Sequence, residues 1–313
     1  MKLSLLTNEL ISTGLKFQPT YQKGLTNHLP MTLVALDQMG AEDERLLGFY
    51  HQYITQLENV ARNDAFLSQA NKIEQLIERS GIDATLQQYL PKLIASFASQ
   101  AFHCLIRLAY AVKSQQPREI SYSLAYWEQN YRPLAPLATT DSYNAAEQLK
   151  QLTQVLSNAS FHADNISERI NEVAKHPNYL KLAAVPCDIT LESALQLIIK
   201  QYKTTNDFTL LHGITALHAF IELSPYFSDQ TTALHWFWQS YTAAFATACH
   251  VFNHKSSQTS APHLSWLETL SRGSLSHNDH TIKLIYSCSE IYKRYPFAEL
   301  KQIAHQRIAQ EGL

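Results

Sequence analysis

The stretch Leu90–Val112 reads LPKLIASFASQAFHCLIRLAYAV, and its hydrophobic pattern indicates the fold class. On a helical wheel of about 100° per residue, one broad face is apolar and carries Leu93, Phe97, Ala101, Cys104, Leu108 and Val112. The opposite side is apolar as well, through Phe102, Ile106 and Tyr110. Because a helix that is apolar almost all round is a buried helix, this stretch predicts a long helix in the protein core.

Helix-like spacing of apolar residues continues along the chain. It predicts helices over Pro30–Val60 with a break at Gly40, Leu90–Val112, Ser142–Val155, Ile166–Leu182, a segment starting after Asp188 or Thr190, Phe208–Leu223, Thr231–Asn253, Pro262–Arg272, Asp279–Tyr295 and Ala298–Gln310. The chain has 8 glycines, where average usage would give about 22, so tight turns are few. We therefore expect an all-α protein that forms one large multi-helix domain over residues 1–313, with a polar loop at Lys255–Ala261.

The composition argues against several function classes. The 25 basic and 27 acidic residues give a net charge of −2, so no nucleic-acid partner is expected. No window approaches about 18 uninterrupted apolar residues, and the apolar run at the N-terminus is too short for a signal peptide, so no membrane segment is expected. Four widely spaced cysteines without a Cys-x-x-Cys pair suit the reduced cytoplasm.

Fourteen histidines justify a search for metal ligands, because imidazole is the commonest protein ligand for metals. His28 lies between Asn27, a good N-cap, and Pro30, which suits a first helical turn. His280 follows Asn278 and Asp279, either of which could cap a helix. The positive end of the helix dipole disfavours imidazolium at such positions, and a metal needs neutral imidazole. The alternative is an ordinary polar residue at a helix start.

His103 belongs to a narrow polar stripe on the otherwise apolar stretch, together with Ser96, Gln100 and Arg107. Such a stripe on a buried helix lines a cavity or pairs with another buried polar group. The alternative is a hydrogen-bonded core histidine, with Arg107 at the surface.

Two further residues have surroundings that suit a ligand. His212 has small helical neighbours, Ala216 and Ala219, which leave room for a ligand or for a closely packed helix. Lys283 lies three residues after His280, on the same helix face and among apolar residues. Burial lowers the pKa of a lysine, and the neutral amine can add carbon dioxide to form a carbamate. The alternative is a lysine whose stem packs while its ammonium reaches water.

Several motifs of other enzyme classes are missing from the sequence. It has no Glu-x-x-His of di-iron bundles, no His-Glu-x-x-His of zinc enzymes, and no adjacent His-Asp pair of phosphohydrolases. It also has no Gly-rich phosphate loop and no Gly-x-Ser-x-Gly. A Rossmann-type flavin or nicotinamide site is therefore not expected.

Several blocks resemble the signatures of the questin oxidase-like family and occur in the same order, within about residues 15 to 295. They are Asn27–Met31 with Ala35-Leu36 and Met39–Ala41, Phe102–Tyr110, Leu124–Trp127, Leu211–Ala219 and Asp279–Leu284. The resemblance implies an all-α fold around a buried cavity for metal and substrate. It implies oxygenation or ring opening of a polycyclic aromatic phenol or quinone by dioxygen.

The resemblance also implies a cofactor, non-haem iron as Fe²⁺, held by histidines and a carboxylated lysine. Carried over by position, the ligands are His28, His103, His212, His280 and Lys283. An external reductant such as NADPH is a further expectation.

Three function classes remain open from the sequence. The first is a non-haem iron oxygenase, with Arg107 and Tyr110 as candidate catalytic residues, and with Tyr110, Trp127 or Trp236 against the substrate rings. The second is a metal-dependent hydrolase, because metal-bound water is a nucleophile near neutral pH. The third is a helical interaction protein without metal.

Overall fold

The computed structural model describes residues 2–22, 24–61, 65–253 and 264–313. In this part of the chain sixteen α-helices follow one another: α1 Leu5–Gly14, α2 Leu29–Gln38, α3 Asp43–Tyr53, α4 Ala65–Ser80, α5 Ile82–Leu93, α6 His103–Ser114, α7 Pro117–Gln129, α8 Ala145–Leu156, α9 Ile166–Val173, α10 Pro177–Leu180, α11 Leu191–Thr205, α12 Phe208–Leu223, α13 Gln230–Thr247, α14 Trp266–Gly273, α15 Asp279–Arg294 and α16 Ala298–Glu311. Short 3-10 helices lie at Ile54–Gln56, Ile94–Ser96, Ser224–Tyr226 and Cys249–Asn253.

The predicted all-α fold is confirmed. Among the described residues the strands are only two residues long: β1 Thr20–Tyr21, β2 Leu25–Thr26, β3 Thr139–Thr140 and β4 Val185–Pro186. β1 pairs antiparallel with β2, and β3 pairs parallel with β4. These pairs are too short to form a layer of the core.

The chain divides into two compact units. The first comprises Met1–Leu86, Ile106–Gln129 and Thr259–Leu313, and the second comprises Gln87–Leu105 and Asn130–Gln258. The expectation of one domain over residues 1–313 stays a prediction.

Helix α2 is the buried centre of the first unit. All residues from Leu29 to Leu36 are buried, and α2 packs against α1, α3 and α15. Gly273, at the end of α14, is required by close packing, because a Cβ there would lie 2.8 Å from Ile285 of α15 and 3.0 Å from Met39. The segment that leads into α15 is thus held close to the end of α2.

Helix α12 is the buried centre of the second unit. Its residues from Thr209 to Ile221 are all buried, and it packs against α11 and α13. Gly213 permits this approach, because a Cβ there would lie 2.9 Å from the ring of Tyr241 in α13. Beside His212, Gly213 therefore accompanies a closely packed helix. Aromatic rings fill the rest of this core, with centroids 4.8 to 6.1 Å apart among Phe97, Phe220, Phe227 and Phe237.

The prediction of one continuous helix over Leu90–Val112 is wrong. Helix α5 ends at Leu93, a 3-10 turn follows, and α6 begins only at His103. Between them the backbone makes a left-handed turn, with φ of 52°, 52° and 69° at Gln100, Ala101 and Phe102. Ser96 and Gln100 therefore do not share a helix with His103 and Arg107.

Tertiary hydrogen bonds explain why the periodic pattern failed there. The left-handed conformation costs an L-residue roughly 1–2 kcal/mol, so outside contacts must support it. The side chain of Gln100 donates to Asn130 Oδ1 at 2.6 Å, and Ser99 Oγ accepts the backbone N–H of Arg132 at 3.1 Å. Neither contact has a local sequence signal.

Most other predicted helices are found with small changes. Helix α12 has the predicted bounds, and α15 and α16 differ from theirs by one residue. The predicted break at Gly40 is confirmed by a φ of 83°. Thr190, one of the two proposed caps, begins α11 through a capping box with Ser193.

Other helix predictions need correction. The segment Ile166–Leu182 is split into α9 and α10 because Pro177 begins a new helix, and the residue before a proline disfavours helical geometry. The segment Thr231–Asn253 changes to 3-10 geometry after Thr247. The periodicity did not mark α1, α4, α7 or the part of α5 that precedes Leu90. The predicted loop Lys255–Ala261 and the predicted helix start at Pro262 lie outside the described residues.

No helix within the described ranges combines the length and the apolar character needed to cross a bilayer.

Two glycines provide a matched test of the helical break. Gly40 has a φ of 83° and Gly48 lies inside α3, and a Cβ at either position would meet no neighbouring atom within 4 Å. We expect Gly40→Ala to lower the free energy of unfolding by about 1 kcal/mol through backbone strain. We expect Gly48→Ala to raise it by up to about 1 kcal/mol through helix propensity. Urea unfolding followed by circular dichroism measures both free energies. Equal changes in the two variants would contradict a left-handed break at Gly40 and a helical position at Gly48.

Candidate functional site

The first turn of α15 carries the polar residues of the first unit. Asn278 is the N-cap, and its Oδ1 accepts the backbone N–H of His280 at 3.0 Å and of Thr281 at 3.3 Å. Because Asn278 satisfies these amides, the carboxylate of Asp279 is available for side-chain contacts. Asp279, the other residue proposed as a cap, is therefore not the N-cap of α15.

Asp279 binds two histidines with one carboxylate. His28 Nδ1 lies 2.7 Å from Oδ2, and His280 Nδ1 lies 2.6 Å from Oδ1. The two rings have centroids 4.8 Å apart and meet edge to face. The prediction that His28 and His280 lie at helix starts is confirmed, and the structure brings them together.

The backbone around His28 is fixed by neighbouring groups. Its N–H donates to the hydroxyl of Tyr53 at 3.0 Å. Asn27 Oδ1 accepts the N–H of Leu29 at 3.0 Å, so Asn27 satisfies a helix-start amide although His28 itself is the N-cap residue of α2. These bonds fix the backbone from which the His28 ring projects at the start of α2.

Lys283 lies one turn beyond Asp279 on α15 and is 2% exposed. The prediction that this lysine is buried is therefore confirmed. Burial lowers the pKa of Lys283 to about 8, although the negative charge of Asp279 acts in the opposite direction. Near neutral pH, a larger fraction of the Lys283 side chain is therefore in the neutral amine form than in an exposed lysine.

Burial and charge keep both imidazoles of the first unit neutral. Burial and then the charge of Lys283 lower the pKa of His28 to about 3, against the effect of Asp279. The pKa of His280 is lowered by the same two causes. Burial alone would raise the pKa of Asp279, but His28 and Lys283 hold it well below its usual range. A charged carboxylate between two neutral imidazoles is the protonation state that metal binding requires.

The second unit holds the other two predicted histidine ligands. The rings of His103 and His212 have centroids 4.9 Å apart and meet edge to face. His103 Nδ1 donates to the carbonyl of Gln100 at 2.6 Å, and His212 Nδ1 donates to the carbonyl of Phe208 at 2.9 Å. The left-handed turn therefore supplies the acceptor for His103.

All four histidines share one pattern, which fits a metal. Each Nδ1 faces an oxygen that can only accept, either a backbone carbonyl or an ionised carboxylate. The hydrogen is therefore on Nδ1, and Nε2 carries the lone pair. Metal-binding histidines in proteins have this arrangement, in which the second nitrogen donates to a carboxylate or carbonyl.

The structure thus groups the predicted ligands within each unit. His28, His280 and Lys283 lie around Asp279, and His103 lies beside His212. That all five hold one ion stays a prediction.

Arg107, a candidate catalytic residue, forms a buried ion pair. Its Nε and Nη2 donate to the two carboxylate oxygens of Glu119 at 3.0 and 3.2 Å. Its guanidinium also lies over the rings of Tyr122 and Tyr126, 4.9 and 6.0 Å from their centroids. The alternative that places Arg107 at the surface is wrong, because its side chain is 3% exposed.

The other aromatic candidates differ in exposure. Tyr110 is buried with its ring 5.8 Å from that of Tyr286. Trp127 is fully buried in α7, and Trp236 is half-buried in α13. Their roles against a substrate stay predictions.

Sequence reasoning missed two acidic residues. Asp279 was considered only as a cap, and its adjacency to His280 was the available signal. Glu119 was not considered at all. It is the buried acidic residue of α7, a helix in which all residues from Glu119 to Trp127 are buried, and a single acid in such a run signals a buried partner.

The buried pair can be tested by stability. Arg107→Met alone should lower the free energy of unfolding by about 3–5 kcal/mol, because it leaves Glu119 buried without its partner. Adding Glu119→Leu should recover most of that loss. Urea unfolding measures both, and a double variant no more stable than the single variant would contradict the pairing. Loss of turnover in the refolded double variant would support the catalytic role predicted for Arg107.

The neutral imidazoles predict acid sensitivity of the metal-free protein. His28 has a pKa of about 3 when folded and an ordinary value of 6.5, so the unfolded state binds more protons between these values. Stability should therefore fall as pH decreases from about 6.5, by up to about 1.4 kcal/mol per pH unit for one histidine. His28→Gln should reduce this slope. Urea unfolding between pH 6.5 and 4.5 measures it, and an unchanged slope would contradict the prediction.

Comparison with known proteins agrees with the resemblance of the motifs. The profile of the family described as Questin oxidase-like matches residues 25–288. All five predicted ligands lie inside the matched range. No curated protein matches the chain. Because the match covers most of its length, the chain belongs to the Questin oxidase-like family.

Proposed function

We propose that the chain is a non-haem iron oxygenase that oxygenates or opens a ring of a polycyclic aromatic phenol or quinone. Family membership already makes it an oxidoreductase acting on a small molecule. The metal, the substrate class and the use of dioxygen are the proposed parts. The proposed ligands of Fe²⁺ are His28, His103, His212, His280 and Lys283.

The orientation of the imidazoles supports this proposal most strongly. A buried histidine that serves only packing can use either nitrogen as the donor, because both tautomers are open to it. Here each of the four histidines among the predicted ligands has Nδ1 within hydrogen-bond distance of an oxygen that can only accept. A common tautomer across two pairs is expected if all four Nε2 atoms bind metal.

Bound iron would supply the activation of dioxygen. The protein's own residues hold the imidazoles neutral, exclude water by burial and fix the rings through Asp279 and backbone carbonyls. Arg107 and Tyr110 are the side chains proposed to act on the substrate. An external reductant such as NADPH is proposed for a reaction in which the reduction of dioxygen needs more electrons than the substrate supplies.

We propose that Lys283 carries a carbamate in the metal-bound protein. Its neutral amine forms a nitrogen–carbon bond with carbon dioxide and releases one proton, which leaves a carboxylate-like anion. Burial favours this step because it lowers the pKa of Lys283 to about 8. An unmodified ammonium would instead repel a cation nearby.

A divalent ion bound by neutral imidazoles alone would leave its charge uncompensated in a buried site, which is costly. The carboxylate of Asp279 lies between two proposed ligands, and its lowered pKa favours the anion. The carbamate would therefore supply a second negative charge and an oxygen ligand.

The function is tested by metal analysis and by oxygen uptake. Protein purified without chelator should contain iron, and turnover of a hydroxylated anthraquinone should consume dioxygen. Metal-dependent turnover without oxygen uptake would favour the hydrolase alternative. Absence of metal after reconstitution with Fe²⁺ would favour the interaction-protein alternative.

Lys283→Ala tests the carbamate. Wild-type iron content should rise with added bicarbonate, whereas the variant should lose most of its metal because it lacks the anionic ligand. Lys293→Ala is the matched control, since Lys293 is an exposed lysine on the same helix. It should bind iron as the wild type does. Full metal retention in Lys283→Ala would refute the ligand role.

A further inference from the structure

One carboxylate serves two imidazoles at the start of α15. Asp279 accepts from His28 Nδ1 at 2.7 Å and from His280 Nδ1 at 2.6 Å, one ring on each oxygen. All three side chains are largely buried, with exposed fractions of 8%, 17% and 18% for His28, Asp279 and His280. A single side chain thus sets the hydrogen position on two rings. His28 lies 251 residues before Asp279 in the sequence, and His280 directly follows it.

The chemistry of a carboxylate makes this double role possible. Both of its oxygens only accept, so both imidazoles must present Nδ1–H and keep the lone pair on Nε2. An asparagine of the same shape has one accepting oxygen and one donating NH₂ group. It could hold only one ring in this tautomer and would favour the opposite tautomer in the other.

The first turn of α15 holds the carboxylate in place. Asn278 caps the turn. Thr281 donates to Glu311 of α16, and its Oγ1 accepts from Arg307 Nε at 2.8 Å. Arg45 donates to the carbonyls of Ser274 and Ser276 at 2.8 and 2.6 Å, in the segment that precedes the cap. The negative charge also lies at the positive end of the helix dipole, where it is stabilised.

We propose that Asp279 is a positioning residue that selects the Nδ1–H tautomer of both His28 and His280, so that both Nε2 atoms are presented to a divalent transition metal. The inference rests on the proposed function for the identity of the ligand. The tautomer assignment itself does not depend on metal.

The test combines nitrogen-15 NMR of the histidine rings with titration of Fe²⁺ under anaerobic conditions. In the metal-free wild type, both His28 and His280 should show Nδ1–H and an unprotonated Nε2. In Asp279→Asn one of the two rings should change to Nε2–H, and the affinity for Fe²⁺ should fall by about 10- to 100-fold, as for other residues that orient metal-bound histidines.

Asp37→Asn is the matched control. Asp37 lies at the end of α2 and accepts three hydrogen bonds, from the backbone N–H of Ser4, the hydroxyl of Thr7 and the side-chain amide of Gln38, at 3.0, 2.9 and 3.0 Å. Replacing Asp37 with asparagine should leave both the histidine tautomers and the affinity for Fe²⁺ unchanged.

The outcomes separate this inference from the proposed function. Nε2–H on either ring of the wild type overturns it, and that measurement needs no variant to fold. Wild-type affinity in a folded Asp279→Asn also overturns it, while metal dependence stands. If the wild type binds no Fe²⁺, the proposed function fails, and a tautomer change in Asp279→Asn still supports the positioning role.

Discussion

A buried imidazole needs a hydrogen-bond acceptor, and a backbone carbonyl can serve as one even when it accepts an amide, because its oxygen has two lone pairs. The four histidines meet this requirement at or near helix starts: His28 is the N-cap residue of α2, His103 is the first residue of α6, His212 is the fifth of α12, and His280 is the second of α15. The acceptors are a carboxylate in the first unit and backbone carbonyls in the second. The same locations disfavour imidazolium through the helix dipole.

This requirement explains features of each unit that otherwise look unrelated. In the first unit, Gly273 allows α14 and α15 to approach closely, and Asp279 in the first turn of α15 contacts His28. In the second unit, the left-handed turn directs the carbonyl of Gln100 toward the ring of His103. Gly213 lets Tyr241 pack directly against the residue that follows His212. Close packing and an unusual backbone thus accompany the polar groups that need them.

Much of the fold could be predicted from the sequence, because apolar periodicity and capping residues are local signals. Helix α12 begins after Asp207, whose side chain accepts from two backbone amides, and its bounds were predicted correctly. The left-handed turn before His103 could not be predicted, since none of its three residues is glycine and its support comes from Asn130 and Arg132.

The candidate site could be predicted in its residues but not in their connections. Helix-start signals identified His28 and His280, and apolar surroundings identified Lys283. The roles of Asp279 and Glu119 depend on contacts between segments far apart in the chain. No local pattern distinguishes an aspartate that caps a helix from one that binds two rings. In the folded protein, Asn278 accepts both amides and leaves the carboxylate of Asp279 to the two rings.

The left-handed turn also determines which sequence changes this part of the chain tolerates. At positive φ, glycine and asparagine are accommodated, whereas β-branched side chains are strongly disfavoured. Positions 100–102 therefore follow a rule opposite to that of the adjoining helices, where glycine lowers stability. Among relatives, glycine in this segment would preserve the direction in which the chain enters α6, and valine or isoleucine would change it. The region before His103 can thus diverge toward residues that a helix would exclude.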